Sequence, residues 1–277
     1  METIRAIRRL ILFLAVTFTA IMLLLAGLLL RLFGAAVFER WRIAVVQGWA
    51  RLIARVIGMR ITVIGTPPKP PFLLVSNHLS YVDIPLLFTR LRGIFIAKRE
   101  VSSWPLLGYA ARLINTLFID RKNHRDLNRV NRLIAAHINP RQGVILFPEG
   151  TSSPGAEIKP FRPSLLQYPA DAGLPVHYAT ISYRSGNPAY PAHTKICWWG
   201  GMTYGDHLFE MFKIRQFEAT ITFGSQPIAH RDRKQLAALL WASARQSFIP
   251  VVNLEEICTT DNPSSSTTSK PLSRELT

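Results

Sequence analysis

A histidine that is to take a proton from an alcohol needs a carboxylate on one ring nitrogen, which fixes the tautomer, and its other nitrogen free for substrate. The run Ser76-Asn77-His78-Leu79-Ser80-Tyr81-Val82-Asp83 supplies both groups. Residues five apart on one helix lie about 140° around its axis, so His78 and Asp83 can meet only if the histidine sits in a turn before the helix. The flanking sequence predicts such a turn. Phe72-Leu73-Leu74-Val75, a short apolar run behind prolines, has the pattern of a buried strand. After it, Ser80 can cap an apolar helix over residues 84–91, with Asp83 as its capping-box partner. Taken alone, a histidine in a turn is ordinarily just a turn residue, and an aspartate at a helix start is explained by the helix dipole.

A second motif changes that balance. The apolar run Gly143-Val144-Ile145-Leu146 leads into Phe147-Pro148-Glu149-Gly150-Thr151-Ser152-Ser153, roughly seventy residues beyond the first motif. Together, in this order, the two resemble the glycerolipid acyltransferases, specifically the 1-acylglycerol-3-phosphate (lysophosphatidate) acyltransferase branch, over about residues 60–225. Two further blocks match more weakly: Leu117-Phe118-Ile119-Asp120-Arg121, and Gly173-Leu174-Pro175-Val176 leading into a strand. The resemblance implies that His78 and Asp83 are catalytic. It also implies that Glu149, Gly150 and Thr151, with Asn77 beside the histidine, serve substrate binding, and that Arg121 meets the acceptor phosphate.

Acyl transfer from a thioester to an alcohol requires a base, donors for the developing oxyanion, a headgroup site and a groove for the chain. His78 is the expected base and Asp83 its orienting partner, while the amides around Gly150 and Thr151 are candidate donors. The thioester is already activated, so neither Ser76 nor Ser80 is needed as an acyl carrier. Lys98, like Arg121, follows a strand candidate at the end where α/β sheets open their ligand crevice. Glu149 fits two roles, bracing its turn or touching substrate. No metal and no cofactor are expected beyond acyl-CoA or acyl carrier protein as co-substrate.

Two positions depart from the lysophosphatidate pattern: Ser152 stands where that branch usually has arginine, and Arg162-Pro163-Ser164 where it usually has Lys-x-Gly. Both look more like relatives that acylate lyso-ornithine lipid. The expected reaction is acylation of lysophosphatidic acid to phosphatidic acid, with lyso-ornithine lipid as the alternative acceptor.

The elements that must hold these residues read as an α/β domain. Strand candidates at 61–64, 72–75, 93–97, 116–119, 144–147, 177–183, 195–199 and 217–223 alternate with helical patterns. One of these helices begins after an Asn123 cap, and another spans 234–248. Such alternation predicts a mixed sheet covered by helices. Ahead of it, Leu10 to Leu30 run uncharged for 21 residues, enough to cross a hydrocarbon core of about 30 Å. Residues 37–59 gather Arg40, Gln47, Arg51 and Arg55 on one face and Trp41, Val45, Trp49, Leu52 and Val56 on the other, an interfacial pattern in which Arg42 must snorkel or lie beyond the helix start.

Residues 1–60 hold nine arginines and no lysine, and the whole chain has a formal charge of +16. That balance favours anionic headgroups over nucleic acid, since no nucleic-acid motif accompanies it. Arginines on both flanks of the apolar segment favour the cytoplasmic side. A helix pair entering and leaving one leaflet satisfies both flanks, and the family resemblance implies it; a true span by the apolar segment is the alternative. The expected organisation is therefore a membrane-embedded helix pair over 1–60, an acyltransferase domain over 61–258 and a disordered Ser/Thr/Pro-rich tail over 259–277, on the cytoplasmic face of a bacterial inner membrane. The two cysteines, Cys197 and Cys258, have no disulfide or metal spacing. A non-enzymatic anchor for anionic lipid would explain residues 1–60 equally well, but it would leave the placing of His78, Asp83 and Glu149 after strands without a reason.

Overall fold

A computed structural model describes residues 1–103, 107–120 and 123–254. The chain opens with α1 (Glu2–Gly27), a 3-10 segment over Leu28–Phe33 and α2 (Ala35–Val56). It continues through β1 (Met59–Ile64), β2 (Leu73–Ser76), α3 (Asp83–Phe88), β3 (Gly93–Lys98), α4 (Leu107–Leu113), β4 (Leu117–Ile119), α5 (His124–His137) and β5 (Gly143–Leu146). The last third holds α6 (Gln167–Ala172), β6 (Val176–Arg184), α7 (Ala192–Lys195), α8 (Tyr204–Lys213), β7 (Phe217–Phe223) and α9 (Arg233–Ser247).

The strands form one seven-stranded sheet in the order β1-β7-β6-β2-β5-β3-β4. The five from β6 to β4 are parallel, whereas β7 runs antiparallel to β6 and pairs in parallel with β1. The expected mixed sheet covered by helices is present. β2 shows why its run is unbroken apolar: Leu73 and Val75 enter a core with α5, α6 and α9, while Leu74 enters the core on the opposite face. A strand buried on both faces has no polar side to display. In β7, Phe217, Ala219, Ile221 and Phe223 are buried and the residues between them are not, the period-two pattern of a strand with one wet face.

The run 195–199, expected as a strand, is the end of α7 and a turn. Ile196 and Cys197 amides bond back to Ala192, and the Trp198 amide donates to the Leu79 carbonyl. The amides of residues 195–198 are thus satisfied by a helix end and a cross-link rather than by a sheet ladder.

α1 and α2 lie antiparallel, joined side by side where the Trp41 indole donates to Leu23 O and the Trp49 indole to Thr17 Oγ1. Glu2–Phe33 is long and apolar enough to cross a membrane by length and composition. Leu28, Leu29, Leu32, Phe33 and Val37 stand exposed at the tip of the hairpin.

This hairpin shares a core with the sheet. Leu24, Val46, Ile53 and Ile57 belong to the same cluster as Leu74, Leu79, Leu86 and Phe217, and β1 itself begins at Met59, so residue 60 falls inside a strand. Two arginines that the sequence assigns to headgroups or a snorkelling position are buried instead. Arg9 donates to the carbonyls of Phe212, Ile214 and Arg215, where α8 ends, and Arg42 donates to Ile114 O and the Gln142 side chain. Carbonyls at the end of a helix lack intrahelical partners, which makes them natural acceptors for a guanidinium with several donors. Gly58, at a φ of +75°, keeps the approach open, since a Cβ there would lie 2.6 Å from Arg9 Nη2 and 2.6 Å from Arg215 O. The tail from 255 onward, Cys258 included, lies outside the described residues.

Candidate active site

Because five neighbouring strands are parallel, their carboxyl ends open along one edge, and the two motifs occupy the turns after β2 and β5. β2 ends at Ser76 and α3 starts at Asp83, so His78 lies in the connecting turn, as the spacing requires. His78 Nδ1 and Asp83 Oδ2 are 2.7 Å apart. The amides of Leu79 and Ser80 donate to the same oxygen at 2.7 and 3.1 Å, and the Tyr183 hydroxyl donates to Oδ1 at 2.7 Å. Asp83 is wholly buried, and among the described residues four donors meet its carboxylate, none of them a lysine or arginine. A buried anion needs such partners.

The assignment of protons follows. An ionised carboxylate only accepts, so Nδ1 carries the ring proton and Nε2 is left with its lone pair. Among the described residues nothing bonds Nε2, and the His78 side chain keeps 23% of its exposure. Its ring stacks on Phe147, centroids 4.2 Å apart and planes 13° apart, and Phe147 stacks in turn on Phe95.

The helix start differs from the expected capping box. The Asp83 carboxylate does reach back to the Ser80 amide, but the Ser80 hydroxyl makes no capping bond and α3 ends at Phe88 rather than running to Leu91. The turn has drawn the carboxylate away from pure capping, because His78, Leu79 and Ser80 all present N–H groups to the one oxygen.

Glu149 is 3% exposed and braces the site from β5: Oε1 accepts from the His78 amide at 2.8 Å and Oε2 from the Lys159 amide at 3.2 Å. Burial pushes its carboxyl up to about 8, against the pull of those two amides and of the Lys159 charge. Of the two roles open to Glu149, both its oxygens are engaged in bracing. The His78 carbonyl is held as well, by the Ser153 amide at 3.0 Å. Gly150, at a φ of +82°, closes the turn by donating to Phe147 O, a backbone shape that side chains with a Cβ rarely adopt. Its amide is thereby taken by the turn, while Thr151 stands exposed beside it.

Asn77 is buried, with both ends of its amide bonded to the backbone of Ile181: Nδ2 donates to the carbonyl at 2.9 Å and Oδ1 accepts from the amide at 2.7 Å. These bonds continue the pairing of β2 with β6 past its last register pair, Ser76 with Ala179, and they use the side chain that the resemblance assigns to substrate. Lys98 is exposed at the carboxyl end of β3, on the same edge as His78. Arg121 lies outside the described residues. Arg162, Ser164, Phe147, Pro148 and Gly150 line a small cleft beneath the second motif.

Sequence reasoning missed Tyr183 and the packing of Phe147 on His78. It also missed a second hydrogen-bonded histidine, His207, whose Nδ1 meets the Tyr81 hydroxyl at 2.9 Å and whose Nε2 meets Cys197 O at 3.0 Å. A carbonyl can only accept, so His207 donates from Nε2 and accepts the hydrogen bond of the Tyr81 hydroxyl at Nδ1. Burial lowers its pKa to about 4.

Comparison with known proteins identifies the family to which the chain belongs. Residues 60–183 match the Acyltransferase family. The chain is 30% identical over 243 residues to the lyso-ornithine lipid O-acyltransferase of Rhodobacter capsulatus, covering 82% of this chain and 86% of that protein. It is 34% identical over 161 residues to the 1-acyl-sn-glycerol-3-phosphate acyltransferase of Neisseria gonorrhoeae, covering 55% and 62%. The crystal structure of the 1-acyl-sn-glycerophosphate acyltransferase PlsC from Thermotoga maritima shares the fold, with a TM-score of 0.58 at 21% identity over 87% of this chain and 97% of that one. A histidine and a buried carboxylate at the head of a parallel sheet thus sit in a chain whose likeness to one such enzyme spans more than four fifths of both proteins, and the chain belongs to the family of lysolipid acyltransferases.

Proposed function

We propose that this enzyme acylates the free hydroxyl of a lysolipid, with His78 as general base, Asp83 as its orienting partner, and lyso-ornithine lipid as the preferred acceptor. The observation that carries the chemistry is the 2.7 Å contact between His78 Nδ1 and a fully buried Asp83, which leaves Nε2 as the free nitrogen. In the reaction Nε2 takes the acceptor hydroxyl proton as that oxygen bonds the thioester carbonyl carbon. When the C–S bond breaks, the imidazolium returns the proton to the departing thiolate. The donor is acyl-CoA or acyl carrier protein. The hairpin of α1 and α2 seats the enzyme on the cytoplasmic leaflet, its apolar tip in the lipid and Arg40, Arg51 and Arg55 exposed along α2.

Two observations favour the zwitterionic acceptor. Position 152 carries a serine, where a cation would add a charge-assisted contact to a phosphate. The likeness to the Rhodobacter enzyme also spans most of both chains, while that to the Neisseria enzyme stops at 62% of its length. Lysophosphatidate, the acceptor expected from the sequence, is the second reading, favoured by exposed Lys98 on the active-site edge and by Arg162 in the cleft beside Gly150.

The test is purified protein in lipid nanodiscs with labelled acyl-CoA or acyl carrier protein and both acceptors. The expected result is a ratio of kcat/KM values at least tenfold in favour of lyso-ornithine lipid, about 1.4 kcal/mol. Ser152→Arg should move the ratio toward lysophosphatidate by about tenfold or more. A preference for lysophosphatidate in the unaltered protein reverses the order of the two acceptors, and no transfer to any lysolipid rejects the reaction.

A further inference from the structure

We propose that Tyr183 is a positioning residue of the proton-transfer assembly, one that fixes the orientation and tempers the charge of the Asp83 carboxylate behind His78; this rests on the reading of His78 as the base. The two oxygens of Asp83 are served unequally. Oδ2 accepts from His78 Nδ1 and from the amides of Leu79 and Ser80, whereas Oδ1 has Tyr183 as its donor, at 2.7 Å. A carboxylate held at both oxygens cannot rotate about its Cβ–Cγ bond, so the lone pair aimed at Nδ1 stays in place. The phenol is completely buried, and burial together with the adjoining carboxylate holds its pKa well above the usual range, so it acts as a permanent donor.

The location of Tyr183 is itself constrained. It lies on β6, one hundred residues from Asp83, with its ring tilted against Phe217 at 6.0 Å. Asn77, next to the base, grips the β6 backbone at Ile181, two residues earlier and on the same face of the strand. The turn that carries His78 therefore also fixes the strand that delivers the phenol.

The hydroxyl matters in two ways. Removing it leaves Oδ1 buried without a donor among the described residues, which frees the carboxylate to turn. It also returns to the carboxylate the charge that the phenol had drawn off, and a more negative neighbour favours the imidazolium.

The test is Tyr183→Phe, which keeps the ring and its contact with Phe217, assayed beside His78→Ala and the double variant, with folding checked by thermal unfolding. We expect kcat to fall about tenfold, the scale of one charge-assisted hydrogen bond, with the acceptor KM within about twofold because the phenol touches no substrate. The acidic limb of the kcat profile should move to higher pH. In the His78→Ala background Tyr183→Phe should cost nothing more, since the two act as one unit. Incorporating 3-fluorotyrosine at position 183, a stronger donor of the same shape, should move the limb to lower pH, a shift that packing alone does not produce.

An unmoved limb in both altered proteins, or an equal fractional loss from Tyr183→Phe with and without His78, overturns the proposal. Near-normal turnover by His78→Ala instead overturns the assignment of the base, and that outcome is distinct because it appears without any change at position 183.

Discussion

Asp83→Asn tests whether the carboxylate acts by charge or merely by holding a shape. Leu79 and Ser80 point their amides at the oxygen that faces His78, so the asparagine will place its own oxygen there and turn its NH2 toward Tyr183, whose hydroxyl can accept as well as donate. In that orientation the amide oxygen still accepts from Nδ1, the tautomer is kept, and the turn stays intact. Only the charge is lost. A unit charge about 4 Å from the developing imidazolium, at an effective dielectric of about 20, is worth up to about 4 kcal/mol. That bounds the loss near a thousandfold, inside the range of about 10² to 10⁴ for general-base catalysis as a whole. We expect kcat to fall between about 10² and 10³, with an unchanged acceptor KM and a melting temperature close to that of the parent. The sign of the pH effect is fixed too: without the neighbouring anion the imidazolium is less favoured, so the acidic limb of kcat moves to lower pH. Stopped assays in nanodiscs from pH 5 to 9 measure both quantities. Turnover within about threefold of the parent would refute the electrostatic role. A fall as large as that of His78→Ala, with a limb that does not move, would point to a broken tautomer and refute the predicted flip of the amide.

Other parts of the structure make separate demands. Glu149 is protonated in the folded protein up to about pH 8 but ionises near its ordinary value of 4.5 once unfolded; the folded state thus binds the extra proton between those values, so stability falls as pH rises through that window. Glu149→Gln should flatten that slope in thermal unfolding, and a slope equal to the parent's would remove Glu149 as its source. Arg9→Ala strands three carbonyls at the end of α8 and should lower stability by about 3 kcal/mol, whereas Arg51→Ala on the exposed face of α2 should change it by less than about 0.5 kcal/mol in chemical denaturation. Deleting residues 1–60 should give a chain that does not fold, contrary to what a detachable anchor would do; a cooperative melt from the truncated protein would show that the sheet domain stands alone.

Where the sequence was readable, it was because local patterns and global constraints coincided. Strands buried on both faces must be continuous apolar runs, and the helix starting after Asn123 has a side chain that accepts from a first-turn amide, so these elements declare themselves. The meeting of His78 with Asp83 was also legible, since a turn is the simplest way to bring residues five apart together. Tyr183 was not. A tyrosine in an apolar strand is ordinary, and nothing local marks the carboxylate one hundred residues earlier as its partner. The arginines misled for a different reason: in an amphipathic helix beside lipid a guanidinium reads as a headgroup ligand, yet Arg9 and Arg42 face carbonyls that become acceptors only after distant helices and turns have formed. Trp198 and Trp199 read as strand residues because aromatic residues favour strands, but their indoles each found a carbonyl outside any sheet.

The position of His78 is set from the strands on both sides of β2 and from the hairpin. Glu149 holds the His78 amide from β5, Tyr183 holds Asp83 from β6, and the carbonyl of Leu79 is held by Trp198, on the segment between α7 and α8. α8 in turn carries His207, which bonds Tyr81 in the turn between β2 and α3, and ends where Arg5 and Arg9 of α1 seize its last carbonyls. The hairpin therefore contributes to the geometry of the site as well as to its address. Burying Leu24, Val46, Ile53 and Ile57 contributes about 1.5 to 3 kcal/mol each, a sum comparable with the whole net stability of about 5 to 15 kcal/mol of a typical domain. The helices that carry the long apolar segment thus pack directly against α8 and the sheet, so the hairpin and the turn that holds His78 are joined by a shared core rather than by a flexible linker.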